Sequence, residues 1–176
     1  MSDELKAYCK IDLSVLIILA IITQLSGYIL NLKFPEANFY INFSILIGLL
    51  AIVRWGYLGV IVYVVAGLSM LFISDTSYLE TILVYPFANA FIILALVFFK
   101  LFDVSKLKEN NLVLILFILT IFVSVSIGKG IASFILGNQL ISSILYYFTV
   151  NLFNVVMVYV VLQIIKNKEG LLIKFL

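Results

Sequence analysis

Residues 49–68 read LLAIVRWGYLGVIVYVVAGL, and they contain the only arginine of the chain, Arg54. If this long apolar run formed a single helix, the guanidinium group would lie near its middle. A charge in that position is costly both in a soluble core and in a bilayer. The sequence therefore predicts that the helix breaks at this point and that Arg54 reaches the interface with water.

The composition of the whole chain indicates an integral membrane protein. The chain has 176 residues, of which 65% are hydrophobic and 11% charged, and its mean hydropathy is +1.26. Soluble domains carry about 25% charged residues, so this chain has too few to cover a surface that faces water. Histidine is absent and there is one cysteine, so we expect no metal site, no cofactor, no catalytic triad and no disulfide framework. The formal charge of +2 does not favour nucleic acid as a partner.

The apolar segments predict one all-helical transmembrane domain that covers residues 1–176. A hydrocarbon core near 30 Å thick requires about 20 apolar residues per helix. This length predicts a six-helix bundle. The expected spans are approximately 11–30, 39–53, 57–73, 78–99, 111–136 and 140–165.

The second and third expected spans are short and only the tripeptide RWG separates them. Helices of about 15 and 17 residues cover about 22 and 26 Å, which nearly crosses the core if the connection lies at the interface. Gly56 can form the turn, Arg54 is then a positive topology anchor, and Trp55 belongs to the interfacial aromatic belt. The alternative is a re-entrant pair of half-helices.

The distribution of basic residues predicts that both termini are cytoplasmic. With six spans, nine basic residues fall on the inner side and two on the outer side, which agrees with the positive-inside rule. The inner residues are Lys6, Lys10, Arg54, Lys100, Lys106, Lys108, Lys166, Lys168 and Lys174, and the outer ones are Lys33 and Lys129.

Lys129 is a candidate ligand-binding residue because it lies within the fifth expected span, in VSIGKGIASFILG. Gly128 and Gly130 on either side allow other backbones to come close. A lysine in the outer half of the membrane can bind an anionic group such as a carboxylate. The alternative is that the helix breaks at Gly128 and that the ammonium group extends into interfacial water.

The last expected span carries Tyr147, Asn151 and Asn154 at i, i+4, i+7 spacing, which places them on one helix face. Two amides and a phenol can offer donors and acceptors to a polar ligand. Asparagines at this spacing also form interhelical hydrogen bonds in membranes, and the sequence does not separate the two roles.

Two further groups complete the candidate site. Tyr85 and Asn89 flank Pro86, which is expected to kink the fourth helix and to line a cavity, although such kinks also occur without a ligand. Glu36 and Asn38 lie in the outer connection LKFPEANFYIN, which is expected to act as a gate loop or simply as a solvated turn.

The layout resembles the substrate-binding S components of energy-coupling factor transporters, which are small bacterial six-helix proteins. The resemblance covers nearly the whole chain and lies in the connection KFPEANFYINFSILIGLLA, the turn RWGYLG and the glycine-containing VYVVAGL. The end YFTVNLFNVVMVYVVLQIIKNKEGLL also resembles uncharacterised membrane proteins of low-GC Gram-positive bacteria that share the RWG turn.

The resemblance implies a non-enzymatic protein of the bacterial cytoplasmic membrane that captures a micronutrient on the outer side. Its implied partners are the lipid bilayer, a transmembrane coupling subunit and two ATPases. The alternative function is a non-catalytic scaffold in a membrane complex, similar in size to the small rod-shape protein of the wall-building machinery. A membrane enzyme is disfavoured, because the acidic residues all lie near expected loops.

Overall fold

The computed structural model describes residues 3–34 and 41–166, and the regular structure within these two ranges is entirely helical. Short 3-10 turns at Gly56–Gly59 and Ser69–Phe72 flank the third helix. The fourth helix contains a π-helical turn at Leu83–Phe87 and a 3-10 segment at Phe91–Val97. The helices of the described ranges are α1 (Asp3–Lys33), α2 (Ser44–Trp55), α3 (Val60–Leu68), α4 (Tyr78–Leu101), α5 (Ser105–Glu109), α6 (Asn111–Ile135), α7 (Leu140–Val150) and α8 (Leu152–Ile165).

Four helical stretches in the described part of the chain are long and apolar enough to cross a membrane. They are Asp3–Lys33, Ser44–Phe72, Tyr78–Leu101 and Asn111–Ile135. The α7 and α8 helices form a fifth candidate if they count as one span with a bend of 43°. The predicted all-helical class is therefore confirmed, and the length and composition of the helices indicate a multi-pass membrane protein.

The stretch Ser44–Phe72 folds back on itself at Gly56, which has a φ of +56° and ends α2. A Cβ atom placed on Gly48 would lie 3.0 Å from the Cβ of Tyr63. In one straight helix these two positions would be about 22 Å apart. The α2 and α3 helices are therefore antiparallel neighbours, and the turn predicted at the RWG tripeptide is present.

Arg54 and Trp55 at this turn face α1, a contact that the sequence did not predict. The Arg54 guanidinium pairs with Asp12 (Nη1 to Oδ1, 2.9 Å), and each of the two side chains is 12% exposed. Trp55 is fully buried, and its Nε1 donates to Asp12 Oδ2 at 2.5 Å. One carboxylate accepts from both residues, which holds the turn against α1. Because Trp55 is fully buried inside the protein, it does not belong to an interfacial aromatic belt.

Long helices that follow one another in the chain run antiparallel. The first such pair, α1 and α2, is joined near one end by Asp12 with Trp55 and near the other by Gln24 with Ser44. The same pattern recurs along the chain. Asn89 on α4 contacts Tyr63 on α3. Between α4 and α6, Phe98 contacts Phe117 at one end and Ala88 lies against Gly128 at the other. Between α6 and the last two helices, Ser133 contacts Ser143 at one end and Asn111 contacts Gln163 at the other.

The main core surrounds α6, which packs against α4 and α8. Phe117, Ile118 and Ile121 on α6 are fully buried, and the Phe117 ring lies 5.2 Å from the ring of Phe98, centroid to centroid. Asn110 begins α6, because its side chain accepts the backbone N–H of Leu112 at 2.9 Å and so caps the helix. This apolar half of the bundle lies at the end near α5, and the polar site lies toward the opposite end.

Candidate ligand-binding site

Lys129 lies on an unbroken helix and its side chain is largely buried inside the protein. The α6 helix continues through Gly128 and Gly130, so the alternative in which the helix breaks at Gly128 is wrong. A Cβ on Gly128 would lie 2.5 Å from the carbonyl oxygen of Ala88, and a Cβ on Gly130 would overlap the side chain of Ile144. The two glycines therefore let α4 and α7 pack closely on either side of Lys129, which is 8% exposed.

The Lys129 side chain lines a cavity of about 230 Å³ between α4, α6 and the last two helices, which we call the cationic chamber. The ammonium nitrogen lies 5.4 Å from the ring centroid of Tyr147, within the range of a cation–π interaction. None of the described residues that line this chamber is acidic. Its lining consists of Val84, Tyr85, Lys129, Tyr146, Tyr147, Val150 and Asn151.

Tyr85 reaches the cationic chamber from the π-helical turn Leu83–Phe87, which contains Pro86. Pro86 has no backbone N–H to donate, so the regular hydrogen-bond ladder cannot continue through it. Single π-helical turns of this kind are frequent at functional sites because they alter the direction of side chains. The kink predicted at Pro86 thus takes the form of a widened turn that carries Tyr85.

Asn151 lines the cationic chamber from the junction between α7 and α8, where the helix axis bends by 43°. Its side-chain Nδ2 donates to the carbonyl oxygen of Tyr147 at 2.7 Å, and its Oδ1 accepts from Asn154 Nδ2 at 3.0 Å. Asn151 therefore combines the two roles that the sequence left open, since it faces the chamber and also joins a hydrogen-bond network.

Asn154 is not among the residues that line the chamber, and it is almost fully buried in this network. Its Oδ1 accepts the backbone N–H of Asn42 at 2.9 Å. Asn42 Nδ2 donates to Gln24 Oε1 at 3.2 Å, and the hydroxyl of Ser44 lies 2.6 Å from the same oxygen. For Asn154 the contacts therefore support the structural role, because the network joins α1, the start of α2 and α8.

Asn89 does not line the cationic chamber either, although the sequence suggested it as a ligand-binding residue. Its Nδ2 donates to the carbonyl oxygen of Tyr63 at 2.9 Å, and the residue is buried between α3 and α4. Gly67 packs against the backbone of Pro86 and the amide of Asn89, which brings the two helices close together. Asn89 therefore joins α3 to the widened turn of α4.

A second cavity of about 480 Å³ adjoins the cationic chamber, and we call it the neutral chamber. Tyr146 and Tyr147 line both cavities. The neutral chamber is open at the end of the bundle, and the described part of its wall carries hydroxyl and amide groups but no charged side chain. Its lining residues are Ser133, Asn138, Gln139, Ser142, Ser143, Tyr146 and Tyr147.

The sequence reasoning missed the neutral chamber, although the sequence contains a signal for it. Ser142 and Tyr146, and likewise Ser143 and Tyr147, are four residues apart and so share faces of α7. Ser143 Oγ donates to Ser133 Oγ at 3.1 Å, which joins this face to α6. A search for hydroxyl groups at helical spacing, rather than for charges and amides, identifies the group.

The predicted gate residues Glu36 and Asn38 lie outside the described residues. The nearest described residues on the C-terminal side, Ile41 and Asn42, are attached to α1. Ile41 N–H donates to Asn31 Oδ1 at 3.2 Å, and Asn42 contacts Gln24. The chain that follows the predicted gate is thus fixed to both α1 and the Asn154 network.

Comparisons of this chain with protein-family models, with curated proteins and with solved structures gave no match.

Proposed function

We propose that the protein is a membrane-embedded solute-binding subunit that captures a small anionic micronutrient from the outer side of the bacterial cytoplasmic membrane. The observation that carries this proposal is the cationic chamber, in which Lys129 and Tyr147 lie side by side among residues that include no acid. A concave cavity with a few convergent polar groups and aromatic walls is the usual form of a small-molecule site.

The position of Lys129 also favours binding over a purely structural role. Lys129 lies in the last two turns of α6, and an ionisable side chain buried within a membrane helix is costly unless it faces the bundle interior or a wet cavity, so such residues are generally functional. Helix association needs no charge here, because Asn89 and Asn154 already provide uncharged hydrogen bonds between helices.

The orientation of the site follows from a six-span topology, which belongs to the proposal. Antiparallel packing of consecutive long helices puts the start of α1, the Gly56 turn, α5 and the end of α8 at one end of the bundle. Among the described lysines, Lys33 and Lys129 lie toward the other end, whereas this end carries Lys6, Lys10, Lys100, Lys106, Lys108 and Lys166. By the positive-inside rule it faces the cytoplasm, so both chambers open outward.

Import requires partners, since the chain contains no nucleotide-binding pattern of the P-loop type. The proposed complex therefore contains a transmembrane coupling subunit and two ATPases in addition to the lipid bilayer. In this scheme the present chain is not an enzyme. It selects the solute, while the ATPases supply the free energy for uptake.

A scaffold subunit of a membrane complex is the second candidate, and the amide network favours it. Gln24, Asn42, Ser44 and Asn154 are all buried and join three helices, as expected for residues that only fix a bundle. A scaffold, however, gives no reason for an open cavity beside a buried lysine. The two candidates predict different partners and different effects of replacing Lys129.

Affinity purification from a bacterial host in a mild detergent, followed by mass spectrometry of the retained proteins, separates the two candidates. We expect a membrane coupling subunit together with two ATPases. Lys129→Met is expected to leave this complex intact, as is the control Lys106→Met, which removes the same charge at the other end. Recovery of wall-synthesis proteins with no ATPase would contradict the importer and support the scaffold.

A further inference from the structure

The two chambers share a wall but differ in chemistry. The cationic chamber has Lys129 as its charged residue, whereas the neutral chamber is lined by Ser133, Asn138 and Ser142 among other uncharged groups. Tyr147 belongs to both, because its ring faces the Lys129 ammonium in the cationic chamber and its side chain also lines the neutral chamber beside Ser133. A molecule that passes Tyr147 therefore meets a positive charge on one side and neutral hydrogen-bonding groups on the other.

The small size of the cationic chamber indicates that a molecule held at Lys129 extends into the neutral chamber. The cationic chamber, at about 230 Å³, is smaller than the range of about 300–1,000 Å³ that is usual for a ligand pocket. With the adjoining 480 Å³ of the neutral chamber, the combined space falls within that range. The cationic chamber alone suits a single charged group rather than a complete ligand.

The chemistry of the lining determines which groups fit each chamber. In a site of low polarity, a charge-assisted hydrogen bond to an ammonium group is stronger than a neutral one, so the anionic group belongs at Lys129. The serine hydroxyls of the neutral chamber can each donate and accept, and the amides of Asn138 and Gln139 offer both as well. These groups match hydroxyls or amides of a ligand, and an alkyl chain would leave them unsatisfied.

We propose that the solute is a small organic monoanion whose neutral part carries several hydroxyl or amide groups, with its anionic group at Lys129 and its neutral part against Ser133 and Ser142. This inference rests on the proposed function and specifies its ligand class. It disfavours organic cations, since the described residues that line the two chambers include the cation Lys129 and no acid. It also excludes simple fatty acids, which have nothing to offer the neutral chamber.

Three probes of six carbons each test the two halves of the site separately. Gluconate carries a carboxylate and hydroxyls, hexanoate carries only the carboxylate, and sorbitol carries only hydroxyls. Their dissociation constants are measured by isothermal titration on the purified full chain in lipid nanodiscs at millimolar probe concentrations. Gluconate is expected to bind at least about 10-fold more tightly than either of the others, since each lacks one set of hydrogen bonds.

Two variants with matched controls assign the binding to the two chambers. Lys129→Met is expected to raise the dissociation constant of gluconate about 10-fold to 100-fold, because a charge-assisted hydrogen bond is lost. Lys106→Met is expected to leave this constant unchanged. Ser142→Ala is expected to raise the dissociation constant of gluconate about 3-fold and to leave that of hexanoate unchanged. Ser14→Ala on α1 is its control, because Ser14 also bonds only a backbone carbonyl of its own helix.

The outcomes distinguish failure of this inference from failure of the proposed function. Equal binding of hexanoate and gluconate, both weakened by Lys129→Met, would overturn the ligand class but leave an anion-binding subunit. Equal binding of sorbitol and gluconate, unaffected by Lys129→Met, would overturn the role of Lys129 in both proposals. Absence of binding by all three probes would also overturn the ligand class, and anions of other kinds would then test the proposed function.

Discussion

At the scale of single residues, two cations within apolar sequence have different surroundings. Arg54 is paired with Asp12 and hydrogen-bonded to Tyr8, so its charge is matched inside the protein. Lys129 lines a cavity beside an aromatic ring. The sequence singled out both cations, but it did not predict the partner of Arg54, because pairing across helices depends on the relative register of α1 and α2.

The Asp12–Arg54 pair is expected to contribute strongly to stability. Asp12→Ala leaves a largely buried guanidinium without its carboxylate and removes the acceptor of Trp55 Nε1, which should cost about 3–5 kcal/mol of unfolding free energy. Reversible unfolding in mixed detergent micelles measures this loss. Asp3→Ala is the control, since the Asp3–Lys6 pair is on the surface and should give no resolvable change.

Replacement of both partners tests whether the charges themselves stabilise the fold. The double variant with Asp12→Leu and Arg54→Leu should recover much of the stability lost in Asp12→Ala, because apolar residues of similar size often replace a buried ion pair at little cost. If Asp12→Ala alone unfolds no more easily than the wild type, the pair does not hold the turn against α1.

At the scale of helices, the site is formed where regular helix geometry is interrupted. The widened turn Leu83–Phe87 carries Tyr85, and the bend between α7 and α8 carries Asn151. Pro86 made the first interruption predictable. The second has no proline or glycine to mark it, but it coincides with Asn151, a poor helix former whose side chain donates to the carbonyl oxygen of Tyr147 one turn earlier. The sequence placed Asn151 on a helix face and did not weigh this local competition with the backbone hydrogen bonds.

The α2–α3 hairpin is expected to depend more on Gly59 than on Gly56. A Cβ at Gly59 would overlap the backbone of Ala51, so Gly59→Ala must push α2 and α3 apart and should cost about 3 kcal/mol. Gly56→Ala meets no atom and should cost about 2 kcal/mol, from a backbone with φ +56° and ψ −126° that residues with a Cβ rarely adopt. Unfolding of both variants in detergent tests the order, and a greater loss for Gly56→Ala would contradict the close contact.

Two asparagines on neighbouring helices should separate stability from binding. Asn89→Ala removes the hydrogen bond to the Tyr63 carbonyl and should cost about 1 kcal/mol, with unchanged gluconate affinity. Asn151→Ala should lower both stability and affinity, because Asn151 lines the cationic chamber and bonds Asn154. Unfolding and titration are compared for the two variants, and a loss of affinity in Asn89→Ala would place that residue in the site after all.

At the scale of the whole molecule, composition predicted the helical class and the membrane setting, because 65% hydrophobic residues leave few other structures possible. Consecutive helices run antiparallel, as expected where short connections join one apolar segment to the next. The neutral chamber could not be predicted in the same way. Ser133 and Ser142 are uncharged, so a search for intramembrane charges does not find them. They line one cavity because the chain reverses direction between α6 and α7 at Gly137, where φ is +94°.

The six-span topology predicts that the two ends of the bundle are accessible from opposite sides of the membrane. In a chain with Cys9→Ala, Asn138→Cys should react with a membrane-impermeant maleimide added to intact cells. Lys106→Cys should react only after the membrane is opened, because it lies at the end with the lysine-rich connections. Reaction of both positions in intact cells would contradict the proposed topology.

The most direct measurement is equilibrium dialysis of the purified protein against a protein-free extract of its host's growth medium, with mass spectrometry of the molecules that become enriched. The wild type and the control Lys106→Met should enrich the same anionic solute, and Lys129→Met should not. Enrichment of no molecule, or of the same molecule to the same extent by Lys129→Met, would show that the cationic chamber is not a solute-binding site.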